Sequence, residues 1–72
     1  MISKSDFKDR LRSLRNERRE TQSQVGAAIG IGERHYQKFE ACDNFPNAEN
    51  LCALADHFGV SLDYLMGRTD EQ

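Results

Sequence analysis

The chain has 72 residues, of which 38% are hydrophobic and 31% charged, with one proline, no tryptophan and a formal net charge of −2. This size and composition favour one small globular domain and argue against a disordered tail. No apolar run approaches the roughly 20 residues that a bilayer span requires. The N-terminal segment lacks the apolar core of a signal peptide, so we expect a cytoplasmic location.

The sequence gives little support to a metal site, a cofactor site or an enzyme. Without a secretory signal, Cys42 and Cys52 are expected to be reduced thiols rather than a disulfide. A metal site formed with His35 and His57 is disfavoured because none of the spacings matches a known ligand pattern. The chain has no serine, histidine and carboxylate set at a recognisable spacing, and no glycine-rich phosphate loop after a strand, so we expect no catalysis.

The net charge conceals an uneven distribution along the chain. Residues 1–19 carry seven basic and three acidic side chains, residues 20–39 carry two of each, and residues 40–72 carry one basic and seven acidic side chains. A molecule of this kind can present a basic face to nucleic acid and an acidic face away from it. A solvated, arginine-rich helix would give the same pattern, so charge alone does not decide between them.

The first predicted helix has Ser5 or Asp6 as its cap and one inward apolar stripe at spacings of four and three, formed by Phe7, Leu11 and Leu14. Its outer face is free to meet phosphate, and the arginines that could do so are Arg10, Arg12, Arg18 and Arg19. A second helix is capped by Thr21, with Gln24 as its capping-box partner. Its predicted inner face consists of Val25, Ala28 and Ile29, and Gly26 permits close approach of a neighbouring helix.

A tight turn then leads into a third helix at about residues 33–41. Gly30 can end the second helix in a left-handed conformation, and Ile31 can plug the core from the turn. The third helix buries Tyr36 and Phe39 and exposes a polar face that consists of Glu33, Arg34, Gln37 and Lys38. Two short helices joined in this way are typical of a helix-turn-helix, whose second helix enters the major groove of DNA.

The rest of the chain predicts two more helices and no strand, so the fold class is all-α with five helices. A loop broken by Pro46 precedes a helix that is capped by Asn47 and ends at Gly59. The inner face of that helix consists of Leu51, Leu54, Ala55 and Phe58, with Val60 as a plug behind it. Ser61 caps a short fifth helix with Leu62 and Leu65 that Gly67 ends. We expect a single domain over residues 1–72, with a core at about 6–67 and a frayed tail at 68–72.

Four groups of residues resemble the Cro and phage-repressor-like helix-turn-helix family, also called the xenobiotic-response-element type. They are Leu11–Arg15 with Glu17 and Arg18; Thr21, Gln22, Val25, Ile29 and Gly30; Tyr36, Phe39 and Glu40; and the run from Leu51 to Arg68, which is the most specific. The resemblance covers residues 6–68. It implies a compact lambda-repressor-like fold whose members usually bind operator DNA as two-fold dimers and repress transcription.

The resemblance also implies a DNA-binding site. Base-reading positions are occupied by Glu33, Arg34 and Lys38, and a backbone-binding position at the start of the second helix is occupied by Gln22. Further candidates for DNA backbone contact are Thr21, His35 and Gln37. Arg34 can donate two hydrogen bonds to guanine. Glu33 can accept from cytosine, or it can simply be a favourable charge at a helix N-terminus.

Two positions of the resemblance are structural, and several depart from the family pattern. Arg15 and Glu40 occupy positions that often form a buried ion pair between the first and third helices. Departures from the pattern are Gly32 for a capping serine or threonine, Arg19 and Glu20 for a glycine and an apolar residue, and Cys42 for a glycine that ends the third helix. Each departure weakens the transfer of specific contacts without removing the fold.

The leading expectation is a sequence-specific repressor of phage, mobile-element or bacterial origin. A dimer would read two half-sites about 34 Å apart, either through a small interface on the fifth helix or as part of a longer dimeric regulator. One alternative is an antitoxin that represses its own operon. Another is a protein–protein interaction module that has lost DNA binding, which Glu33 and the acidic C-terminal half favour and Arg34 and Lys38 oppose.

Overall fold

The computed structural model describes residues 4–70, with side chains described from Asp6 onward. Within that range the chain forms five helices and no strand: α1 Lys4–Glu17, α2 Gln22–Ala28, α3 Glu33–Glu40, α4 Ala48–Phe58 and α5 Leu62–Leu65. This confirms the predicted all-α, five-helix class. No helix in the described range is long and apolar enough to cross a membrane.

One apolar core joins the five helices. The side chains buried in it are Phe7, Leu11, Leu14, Val25, Tyr36, Phe39, Leu54, Ala55, Phe58, Leu65 and Met66. Partly buried residues pack around them, including Ile29 and Ile31 at the α2–α3 turn. α2 and α3 therefore rest on a core to which α1, α4 and α5 all contribute, and this core fixes the orientation of the outer face of α3.

The predicted caps hold for α2, α4 and α5 but not for α1. Thr21 and Gln24 form the capping box: the Thr21 hydroxyl accepts from the Gln24 N–H at 3.0 Å, and the Thr21 N–H donates to the Gln24 amide oxygen at 2.7 Å. Asn47 and Ser61 accept from the backbone at the starts of α4 and α5 in the same way. The prediction of Ser5 or Asp6 as the cap of α1 is wrong, because α1 already includes Lys4.

The buried face of α2 differs from the prediction at one position. Val25 is fully buried and Ile29 partly buried, as expected, but Ala28 is exposed. The reason is that Gly26 takes the buried position instead, so the inward arc of the helix runs through residues 25, 26 and 29 and leaves Ala28 on its far side.

Gly26 is buried under the backbone of the α2–α3 turn, and not under a neighbouring helix as predicted. Its carbonyl accepts from the Ile31 N–H at 2.9 Å. A Cβ atom at Gly26 would lie 3.2 Å from the Ile31 carbonyl oxygen and 3.3 Å from that of Gly32. Gly30 has φ +81°, the predicted left-handed conformation. The two glycines together allow the chain to reverse tightly between α2 and α3.

The segment after α5 is held against α1 as far as Asp70, unlike the frayed tail predicted from Arg68 onward. Arg10 donates to the Thr69 carbonyl oxygen and to the Asp70 carboxylate, each at 2.7 Å. The Arg68 N–H donates to the Asp63 carbonyl oxygen at 2.8 Å. Residues 71–72 of the predicted tail lie outside the described residues.

Among the described residues, two that are not glycine have a left-handed backbone, and both stand where the family pattern has glycine. Arg19 has φ +55° in the α1–α2 turn, and Cys42 has φ +63° just after α3. A Cβ atom in this conformation meets its own backbone, which costs roughly 1–2 kcal/mol. The two departures noted in the sequence therefore carry local backbone strain.

We expect Cys42→Gly to stabilise the protein by about 0.5–1 kcal/mol, since glycine adopts this φ without the Cβ clash. The gain is smaller than the strain itself because glycine also gives the unfolded chain more freedom. Thermal unfolding followed by circular dichroism would measure it. Cys42→Ser is the matched control, because it removes the thiol and keeps the Cβ atom. A Cys42→Gly variant that is no more stable than Cys42→Ser would contradict the strain.

Candidate nucleic-acid interface

α3 presents one polar face to solvent and anchors the opposite face in the core. Tyr36, Phe39 and Glu40 are buried, and the exposed residues are Glu33, Arg34, His35, Gln37 and Lys38. Gly32 occupies the N-cap position and makes no side-chain capping bond, as the departure from serine or threonine implied. The packing of α3 therefore comes from its buried face, and its other side chains are exposed to solvent.

Arg34 and Lys38 are neighbours on this face, one helical turn apart. Both are exposed, and neither forms an ion pair with another described residue. Their charges are thus not compensated within the described part of the chain. An uncompensated pair of cations at i and i+4 gives this face a positive centre.

The acidic residue on the same face is held by a neighbour. The Gln37 side-chain amide donates to a Glu33 carboxylate oxygen at 3.3 Å, which joins a predicted base-reading residue to a predicted backbone-binding residue. The second oxygen of Glu33 remains available to accept a hydrogen bond. His35 lies at the flank, with its ring centroid 5.0 Å from that of Phe39.

A buried carboxylate joins the first three helices beneath this face. Glu40 accepts from Arg15 through two hydrogen bonds, 2.6 Å from Nε and 3.0 Å from Nη2, and from the Tyr36 hydroxyl at 2.6 Å. The Gln22 amide donates to the same carboxylate at 3.2 Å, and Arg12 Nη2 donates to the Glu40 backbone carbonyl at 3.3 Å. We call this set of five residues the Glu40 junction.

The protonation states of the Glu40 junction follow from its hydrogen bonds. Burial alone would raise the pKa of Glu40, but hydrogen bonds from Arg15, Tyr36 and Gln22 and the Arg15 charge outweigh burial and hold that pKa below its usual value. Burial and the bond to Glu40 raise the pKa of Tyr36, and the bond to Glu40 raises the pKa of Arg15. At neutral pH, Glu40 and Arg15 are charged and Tyr36 is protonated.

The sequence located the Arg15–Glu40 pair but not its connection to Gln22. The four-residue spacing of Tyr36 and Glu40 on one helix was a usable signal for their bond. No such signal exists for Gln22 and Glu40, which lie 18 residues apart and meet only because α2 and α3 pack together. One amide N–H and the carbonyl oxygen of Gln22 stay available for a ligand beside the capped start of α2.

Two arginines predicted as candidates for phosphate contact are engaged elsewhere in the fold. The Arg10 guanidinium lies 4.2 Å from the centroid of the Tyr64 ring, in addition to its bonds to the C-terminal segment. Arg18 donates to the His57 carbonyl oxygen at the end of α4 and lies 3.4 Å from the Glu20 carboxylate. Both side chains therefore serve contacts with α4, α5 and the segment that follows.

His57 and Glu20 form a further contact that the sequence did not reveal. The His57 Nε2 atom lies 3.0 Å from both carboxylate oxygens of Glu20. Glu20 replaces an apolar residue of the family pattern, so a polar contact with α4 takes the place of an apolar one. The cysteines Cys42 and Cys52 are free and exposed, and no cluster of three potential metal ligands occurs among the described residues.

A helix-turn-helix profile matches residues 11–65, which include α2, α3 and most of the core. The chain belongs to the helix-turn-helix family. Together with the similarity to the repressors RstR and P22 c2, this match confirms the resemblance to phage-repressor-like proteins that the sequence predicted.

The chain is similar to regulators from two bacteria and to a phage repressor. It is 41% identical over 67 residues to the cryptic phage CTXphi transcriptional repressor RstR of Vibrio cholerae, covering 90% of this chain and 60% of RstR. It is 39% identical over 62 residues to the HTH-type transcriptional regulator YobD of Bacillus subtilis, covering 86% of this chain and 55% of YobD. The chain thus spans between half and two thirds of the length of these relatives.

The fold of the P22 c2 repressor, solved in complex with a synthetic operator, superposes on this helix-turn-helix chain with a TM-score of 0.82. The two sequences are 28% identical, and the match covers 88% of this chain and 96% of the c2 repressor chain. The match therefore extends over nearly all of both domains.

Proposed function

We propose that this helix-turn-helix chain binds operator DNA sequence-specifically through the exposed face of α3 and acts as a transcriptional repressor. The observation that carries the proposal is the uncompensated pair Arg34 and Lys38 on a helix whose opposite face is anchored in the core. The similarity to RstR and to the operator-bound P22 c2 repressor supports it. We assign the chain no catalytic step, and we place its action in the cytoplasm.

The chemistry of each side chain on the face gives it a role. Arg34 donates two hydrogen bonds to N7 and O6 of a guanine, the bidentate contact that its guanidinium fits. Lys38, one turn later, contacts a second guanine or a phosphate. Glu33 accepts from the N4 amino group of a cytosine through the oxygen that Gln37 does not occupy.

The DNA backbone is held at the start of α2 and at the flanks of α3. Gln22 donates its remaining amide N–H to a phosphate oxygen, with Thr21, His35 and Gln37 as neighbouring contacts. Such contacts fix the register of the protein on the duplex, and the base contacts then supply the sequence preference.

We further propose that the active form is a homodimer, or part of a longer dimeric regulator, on a palindromic operator. A single small domain buries too little surface for strong specific binding. α5 carries the exposed apolar side chain Leu62, at 42% of its full exposure, with Tyr64 half-buried nearby. If α5 forms the contact between protomers, the dimer would read two half-sites, which helix-turn-helix dimers typically read about one helical turn of DNA apart.

Selection from a pool of random duplexes, followed by fluorescence anisotropy at two salt concentrations, tests this function. We expect enrichment of a palindromic site and binding that weakens steeply with salt, because phosphate contacts release counterions. If no duplex is bound at low salt and high protein concentration, the proposed function is wrong, and a protein–protein interaction module becomes the better account.

The Glu33→Gln variant tests the role of the acidic residue. If Glu33 accepts from a cytosine, glutamine keeps the shape but loses the charge, so we expect the preference at one base pair of each half-site to relax. The other positions should keep their preference, since Arg34 and Lys38 are unchanged. Repeating the selection with the variant measures this, and an identical preference would show that Glu33 reads no base.

A further inference from the structure

We propose that Arg12 is a further phosphate-binding residue, placed beside Gln22 by the Glu40 junction. The inference rests on the proposed function and adds α1 to the DNA-binding surface.

Three arginines of the described N- and C-terminal segments lie within ion-pair distance of a carboxylate other than that of Glu40. Arg10 lies 2.7 Å from the carboxylate of Asp70, Arg18 lies 3.4 Å from that of Glu20, and Arg68 lies 3.7 Å from that of Asp63. Each of these positive charges is compensated where it lies.

Arg12 shares its carboxylate with a better partner. Its Nε lies 3.7 Å from Glu40 Oε1, but Arg15 already binds both oxygens of that carboxylate at 2.6 and 3.0 Å. One negative charge therefore faces two positive charges at the junction, and one positive charge is left over. It belongs to the more exposed side chain, since Arg12 is 50% exposed and Arg15 is 16% exposed.

The surplus charge lies next to the residue assigned to the DNA backbone. The Gln22 amide nitrogen is 3.2 Å from Glu40 Oε1, the same oxygen that Arg12 approaches. Arg12 also donates from Nη2 to the Glu40 carbonyl at the end of α3, at 3.3 Å. This leaves most of its five N–H donors unused, in the fork geometry that matches phosphate oxygens.

The test compares Arg12→Ala with Arg68→Ala, an arginine of similar exposure whose loss removes the same charge from the opposite part of the chain. Binding of the enriched operator and of a scrambled duplex is measured by anisotropy over a series of salt concentrations. We expect Arg12→Ala to lower the affinity for both duplexes by roughly five- to tenfold. The salt slope, meaning the steepness with which the logarithm of the affinity falls with the logarithm of the salt concentration, should decrease by about 0.9 for each bound protomer. Arg68→Ala should change affinity less than about twofold and leave the slope unchanged.

Arg12→Lys separates charge from folding. It keeps the positive charge and loses the bond to the Glu40 carbonyl, so we expect it to retain the wild-type salt slope. Circular dichroism establishes that each variant is folded at the binding temperature. If wild type binds and Arg12→Ala behaves as Arg68→Ala does, this inference is wrong and the proposed function stands. If wild type binds no duplex, both are wrong.

Discussion

Arg15→Ala is expected to destabilise the fold by about 3–5 kcal/mol, because it leaves the Glu40 carboxylate buried and charged without its cation. Glu40 is only 2% exposed, and Arg15 is the cation that donates hydrogen bonds to both of its carboxylate oxygens. For a domain of this size, such a loss lowers the melting temperature by at least about 10 °C. Thermal and denaturant unfolding at pH 7 would measure it.

Arg68→Ala is the control for the loss of one positive charge, since both members of its ion pair are mostly exposed. We expect that variant to stay within about 0.5 kcal/mol of wild type. A melting temperature of Arg15→Ala that equals that of Arg68→Ala would mean that the Glu40 junction does not hold the helices together.

Acidification should narrow the difference in the free energy of unfolding between Arg15→Ala and wild type. The pKa of Glu40 in the fold lies below its ordinary value of 4.5, so its contribution is present above pH 4.5 and is lost as pH falls through the lower, folded value. In the variant, burial without the cation favours the neutral acid. The deficit in stability should therefore be largest at neutral pH, begin to shrink as pH falls towards 4.5, where Glu40 of the variant takes up a proton, and shrink further below 4.5, where wild type loses its own contribution. A deficit independent of pH would point to lost packing instead.

Arg34→Ala is expected to lower affinity for the enriched operator by about 1–3 kcal/mol for each half-site, a factor of roughly five to more than one hundred. The loss should be confined to duplexes that carry the cognate guanine. When that base pair is replaced, wild type and variant should bind alike, because the contact is already missing. Anisotropy titrations of both proteins on both duplexes give the coupling between Arg34 and the base pair.

The distinction between base and phosphate contact lies in the pattern of that loss. If Arg34 contacts only phosphate, Arg34→Ala would lower the affinity for all duplexes equally, and this result would contradict base reading. Lys38→Ala gives a comparison on the same face, because Lys38 is proposed to contact either a guanine or a phosphate. The pattern of its affinity loss across the duplexes should show which of the two it contacts. Arg68→Ala again controls for charge.

The fold was predictable from the sequence because local signals and apolar spacing agree along most of the chain. Thr21 with Gln24, Asn47 and Ser61 marked helix starts, and the spacing of Phe7, Leu11 and Leu14 marked one buried stripe. Ala28 was misassigned because periodicity alone cannot show that the turn backbone would cover Gly26. The cap of α1 was misplaced because Ser5 and Asp6 are good caps that here lie within a longer helix.

The sequence predicted which residues of the site lie on the exposed face of α3, but not the tertiary hydrogen bonds and ion pairs that surround the site. Spacing and resemblance placed Arg34 and Lys38 on one exposed face, and the structure agrees with that placement. The bond of Gln22 to Glu40 and the sharing of that carboxylate by Arg12 are tertiary contacts without a local pattern. The same holds for Arg10 and Arg18, whose partners lie about 60 and 40 residues away in sequence.

The most direct test of the central claim, that the exposed face of α3 meets DNA, is a nuclear magnetic resonance titration of the isotopically labelled chain with the enriched duplex. The proposal predicts that amide signals shift at residues 33–38 and at the start of α2, with a smaller effect around Arg12. Signals of α4 should stay in place apart from changes common to the whole complex. Shifts concentrated in α4, or none at all with a duplex that anisotropy shows to be bound, would contradict the assignment of this face to DNA.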